Sequence, residues 1–148
     1  MSKLFKRAKV QLALARDCYV HISDDDAYTD ACCYCLQQSI ELSLKYLVEI
    51  NGESFAENHD LRANLNKLDR IGIAVPDKEL LRSMASTLYS WETESRYRDD
   101  FIALTEDIEN AMAIADELIS FADVLVSQVA ISEEQEYPEG NLTLPSST

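Results

Sequence analysis

The stretch AYTDACCYCLQQSIELSLKYLVEI, residues 27–50, decides the fold. Cys33, Leu36, Ile40 and Leu47 recur at three- and four-residue steps and line one side of a helix. Ala31, Cys35, Leu42 and Tyr46 line another. A helix that is apolar on two sides needs neighbours on both, so it belongs at the centre of its domain. The acids Asp24, Asp25 and Asp26 supply cap chemistry before it, and Asn51-Gly52 is a stop of left-handed geometry after it.

Working outward, Leu4, Ala8, Leu12, Ala15, Tyr19 and Ile22 form one face of a first helix. Asn58 is placed to cap a third, carrying Leu61, Leu65, Leu68 and Ile71 and stopped by Gly72. Val75-Pro76-Asp77 opens a fourth with Leu81, Met84, Ala85 and Leu88 inward, and residues 90–101 break the pattern. Thr105 then caps a long last helix with Ile108, Ala111, Met112, Ala115, Leu118, Ala122, Leu125 and Val129 on its stripe. No segment alternates with a period of two, and 3 Gly and 3 Pro are too few for a fold of many short strands. At 148 residues and 47% hydrophobic, the chain is expected to be all-α, an antiparallel up-and-down bundle of four to five helices over residues 1–131. Residues 132–148 are expected to form an acidic, flexible tail, in which Tyr137, Leu142 and Leu144 could dock on a neighbouring surface.

The formal net charge is −14, which argues against a broad nucleic-acid-binding surface. The charge is segregated. Residues 99–148 hold twelve acids and no Lys or Arg, whereas Lys3, Lys6, Arg7, Lys9 and Arg16 all precede the first acid, Asp17. Pairing of a basic first helix with an acidic last one across the bundle is the simplest reading. There is no apolar run long enough to span a membrane and no secretory leader, so a cytoplasmic location with four free thiols is expected. Cys32, Cys33 and Cys35 point in different directions around a helix and suit a core rather than one metal ion. No phosphate loop, dinucleotide fingerprint or metalloprotease motif is present, and no cofactor is expected.

The central helix also carries Gln38, Glu41, Lys45 and Glu49 at three- and four-residue spacing. They read either as an exposed edge with a Glu41–Lys45 ion pair or as a polar cleft between helices. Here the chain resembles a known family. The run Gln37-Gln38-Ser39-Ile40-Glu41-Leu42-Ser43-Leu44-Lys45-Tyr46-Leu47, then His59-Asp60-Leu61, then Ser95-Arg96-Tyr97 is similar, in order, to the motifs of the HEPN (higher eukaryotes and prokaryotes nucleotide-binding) domain. The resemblance spans about residues 3–130. It implies a helical bundle, usually a homodimer, acting near nucleotides or RNA, often beside a separately encoded minimal nucleotidyltransferase in a toxin–antitoxin-like pair.

Other members are metal-independent ribonucleases with an Arg followed four to six residues later by a His near the start of the last long helix. In this chain Arg96 and Arg98 lie in that region, but no His follows His59. Arg16 and His21 match the spacing on the first helix, the wrong element. The expected function is therefore a non-catalytic binding module for a nucleotide or a nucleotidyltransferase, the alternative being a ribonuclease with an atypical residue set. The candidate ligand- or partner-binding residues are Glu41, Lys45, His59, Arg96, Tyr97 and Arg98. Glu41 is expected to hold Arg96 across the bundle with Tyr97 beside them; the alternative is that Arg96 and Arg98 bind phosphate while Tyr97 or Trp91 stacks on a base.

Overall fold

The computed structural model describes the backbone of residues 2–143 and the side chains of residues 2–128 and Ile131. Six helices follow one another: α1 (Lys3–Tyr19), α2 (Asp26–Ile50), α3 (Leu61–Arg70), α4 (Lys78–Ser83), α5 (Ala85–Glu94) and α6 (Thr105–Thr143). Among the described residues every regular element is a helix.

Helix α2 is the centre, packed against α1, α3, α5 and α6. Leu36, Ile40, Leu44, Leu47 and Val48 are all fully buried on it, as its two-sided apolar pattern requires. Helix α1 lies antiparallel to α2. Ala15 O accepts from Cys32 Sγ at 3.4 Å, Ala8 O accepts from Ser39 Oγ at 2.8 Å, and the Phe5 and Tyr46 rings stack 4.6 Å apart. The same helix lies antiparallel to α6, where Lys9 pairs with Asp123 at 3.3 Å, Arg16 with Asp116, and Tyr19 Oη donates to Glu109 at 2.7 Å. The segregated charges thus meet across the bundle, in exposed pairs that set register more than stability.

Local chemistry explains the boundaries. Ser2 and Asp25 cap α1 and α2 with side-chain oxygens. Gly52 and Gly72, both at φ 81°, take the left-handed turns that end α2 and α3. Asp60, rather than Asn58, caps α3 by accepting from the Arg62 amide at 3.0 Å, while Asn58 Oδ1 accepts from the Asp60 amide. The single helix expected after Pro76 is divided at Met84, whose amide reaches back to Leu80 and Leu81 and closes α4 before α5 begins. That makes six helices instead of four to five. Helix α5 also continues to Glu94, into the region expected to break the pattern.

Helix α6 runs from Thr105 to Thr143, and Glu133, Glu134, Gln135 and Glu136 are good helix formers within it. The expected docking of Tyr137, Leu142 and Leu144 falls outside the described side chains and residues.

Cys32, Cys33 and Cys35 are buried in the core and Cys18 is half-buried, all as free thiols. Burial pushes the Cys32 thiol up to about 12 and that of Cys35 to about 11, and raises Cys33 as well. Among the described residues no group of three or more His, Cys, Asp or Glu side chains is arranged to hold a metal ion, and no helix is long and apolar enough to cross a membrane. In the native protein a disulfide-exchange reagent is expected to titrate Cys18 slowly and the other three thiols only after unfolding. Replacing Ile40 or Leu44 by Asp is expected to abolish cooperative thermal unfolding, because an unpaired charge would be buried. A variant that melts like wild type would contradict the central placement of α2.

Candidate functional site

The Glu41–Lys45 stripe is not an exposed edge. Glu41 retains only 3% of its surface and Glu92, across from it on α5, 7%. A buried carboxylate is tolerated when donors surround it. Glu41 Oε1 accepts from Gln37 Nε2 and from His59 Nδ1, each at 2.8 Å, and its Oε2 accepts from Lys45 Nζ at 3.1 Å. Glu92 Oε2 accepts from Gln38 Nε2 at 2.8 Å and its Oε1 from an Arg96 amino group at 3.1 Å. Gln38 Nε2 also donates to Gln37 Oε1 at 2.7 Å. His59 Nε2 lies 3.8 Å from Glu92 Oε1, near but beyond hydrogen-bond distance, so one imidazole adjoins both carboxylates. Glu41, Gln37, Gln38, Glu92 and His59 thus form a ring of polar side chains, with Lys45 and Arg96 attached to opposite carboxylates.

The backbone positions each member. Gln37, Gln38, Glu41 and Lys45 project from one side of α2, and Glu92 with Arg96 is an i,i+4 pair at the end of α5. His59 arrives on the loop before α3, which is sutured by buried Asn64: its Nδ2 donates to Ala56 O and its Oδ1 accepts from the Ala56 amide. A carboxylate can only accept, so His59 must carry its proton on Nδ1, with Nε2 turned toward Glu92.

The three motifs do meet in space, but not by the expected contact. Glu92 holds Arg96, and the connection from Arg96 to Glu41 runs through Glu92 and His59. The expectation failed because α5 extends one turn further than the sequence pattern suggested, bringing its own carboxylate to the Arg. Trp91 is buried and cannot stack on a ligand. Tyr97 is 72% exposed and its ring lies 5.0 Å from the Arg96 guanidinium carbon, which sits 4.3 Å from the Tyr34 ring on the other helix. Arg98 stays outside the cluster, its fork on Asp100 and a further amino group on Glu94. Arg16 and His21 are also elsewhere, paired with Asp116 and Asp24.

Gln37, Glu92 and Tyr34 escaped the sequence reading. Glu92 was accessible from its four-residue spacing to Arg96, whereas Gln37 and Tyr34 lie in a helix so generally apolar that only the structure separates the polar face.

Two clefts flank the ring. One, about 480 Å³, is bordered by Asn58, His59, Asp60, Arg62, Ser86 and Tyr89. The other, about 360 Å³, lies between the first half of α2 and the end of α5, with Tyr34 and Arg96 on its walls. Both are open depressions rather than enclosed cavities.

A helical bundle carrying these three motifs around one polar cluster defines a HEPN-type domain. The HEPN domain family model matches residues 1–125, and the chain belongs to that family. Neither the curated proteins nor the solved structures include a match.

Glu41→Ala and Glu92→Ala are each expected to lower unfolding free energy by about 1–3 kcal/mol, since each leaves buried donors without an acceptor. The double variant should lose less than the sum, because both carboxylates share His59. Urea denaturation of the three variants is the measurement, and strict additivity would contradict a closed ring.

Proposed function

We propose that this chain is a non-catalytic, nucleotide-associated HEPN module that supplies one wall of a composite site. The observation that carries the reading is Arg96. Its guanidinium is oriented by buried Glu92, stacked between Tyr34 and Tyr97, and set at the edge of a cleft. One amino group is taken by Glu92, and among the described residues nothing accepts from its remaining donors. A planar cation held in place this way suits a single phosphate group, which it can meet with two parallel hydrogen bonds. A site of this kind needs no basic surface, which agrees with a net charge of −14.

The other wall is a protein. Tyr97, Ile102 and Leu104, on the loop that begins at Ser95, hold large apolar side chains in solvent, at 72%, 84% and 65% exposure. That loop adjoins Arg96, so a partner covering it would close the ligand side of the site. The partner that fits the family is a separately encoded nucleotidyltransferase in a toxin–antitoxin-like pair, with the module itself a homodimer in the cytoplasm.

The ribonuclease alternative needs a base with a free lone pair aimed at a ribose hydroxyl. His59 donates through Nδ1 to Glu41 and keeps a lone pair on Nε2, but no His follows it where the family's ribonuclease motif places one, and that absence favours the binding reading.

Purified protein is expected to leave single-stranded RNA intact. Cleavage that disappears in Arg96→Ala or His59→Ala protein would overturn the reading. In calorimetric titrations with a panel of nucleoside monophosphates, Arg96→Ala is expected to weaken binding by about tenfold or more, the worth of a charge-assisted pair. Unchanged binding by that variant would remove Arg96 from the site.

A further inference from the structure

The cleft beside Arg96 contains a group that the polar ring does not use. Helix α2 gives it a wall on which Ala27, Ala31 and Tyr34 share a face with Asp30. Opposite stand Ser95 and Arg96. The Ser95 hydroxyl is already committed, donating to Trp91 O, and Arg96 is committed in part to Glu92. Asp30 is not. It is partly buried, and among the described residues no side chain donates to it or forms an ion pair with it. Burial, with the negative charges of Asp26 and Asp25 behind it, pushes its carboxyl above the ordinary value. Its oxygens are open to the cleft's solvent and free to accept from a ligand.

The chemistry of the cleft restricts what can fill it. The two alanines leave a low apolar floor, and Tyr34 with the guanidinium 4.3 Å above its ring makes a flat, cationic side wall. Both favour a planar heterocycle. At one end a carboxylate presents acceptors only, so the edge that meets it must carry donors. Adenine and cytosine each offer a donor beside an acceptor on the pairing edge, and the acceptor would be repelled. Uracil offers one donor between two carbonyls. Guanine alone has two adjacent donors, N1–H and the N2 amino group, at the spacing of a carboxylate's two oxygens.

We propose that the cleft between α2 and the end of α5 reads a guanine base, with Asp30 accepting from N1–H and N2–H, the Ala27–Ala31 floor and Tyr34 beside the ring, and Arg96 toward the phosphate. This rests on the nucleotide reading of Arg96 and adds the identity of the base. Asp30 is then the specificity residue and Arg96 the affinity residue. The division makes the two separable by mutation.

The test is calorimetry of the full chain with GMP, IMP and AMP, which differ in the donors they offer to Asp30. Wild-type protein should prefer GMP over AMP by about tenfold or more, with IMP, which lacks the N2 amino group, in between. Asp30→Ala should weaken GMP binding and strengthen AMP binding, by removing the carboxylate that repels the adenine acceptor, so that the preference for GMP disappears. Alanine is a good helix former at that position, so an unaltered melting curve serves as the folding control. Arg96→Ala should weaken all three ligands alike. If wild type binds the three equally, or if the GMP preference survives in Asp30→Ala, base reading by Asp30 is wrong while the nucleotide site stands. If none of the three binds, both proposals fail.

Discussion

Two carboxylates buried between α2 and α5 are the constraint around which the rest of this molecule is arranged. Glu41 and Glu92 cannot remain charged in the interior unless donors close over them. Each polar residue of the cluster is accounted for by that need. Gln37 and Lys45 serve Glu41 from its own helix, Gln38 and Arg96 serve Glu92, and His59 donates to Glu41 with its other nitrogen 3.8 Å from Glu92. The outcome is positional. A register shift of α5 against α2 would take Gln38 from Glu92, and the His59–Glu41 bond ties down the loop before α3, so the ring fixes how the two helices meet and where that loop lies.

The same constraint explains what the sequence could and could not convey. The role of α2 was legible because burial on two sides leaves a periodic mark in apolar residues that no tertiary detail can erase. The motif residues Glu41, His59 and Arg96 were legible as neighbours through family resemblance. The contact among them was not. An Arg on one helix end can meet any carboxylate within reach, and the choice between Glu41 and Glu92 depended on whether α5 persisted to Glu94. No Gly or Pro lies between residues 77 and 104 to mark where α4 stops and α5 starts, so the boundary at Met84 had no signal in composition. Tyr34 and Asp30 stayed hidden for a related reason. Their significance lies in the helix end they face, which periodicity does not report.

Membership of the HEPN family is compatible with both a binding and a ribonuclease role. A general base requires an imidazole nitrogen open to substrate. The His59 imidazole donates through Nδ1 to Glu41, and its Nε2 lies 3.8 Å from Glu92 on a half-exposed side chain. What remains open is a guanidinium with unused donors, two tyrosine rings, and a loop of apolar side chains around them.

The most direct measurement of the account is a nitrogen- and carbon-resolved NMR titration of the labelled protein with a nucleoside monophosphate. The account places the largest shifts at Tyr34, Ser95, Arg96 and Tyr97, with smaller ones relayed through Glu92 to His59 and none on the outer faces of α1 and α6. Shifts concentrated on α1 and α6, or at the His59 imidazole with Arg96 unmoved, would contradict it.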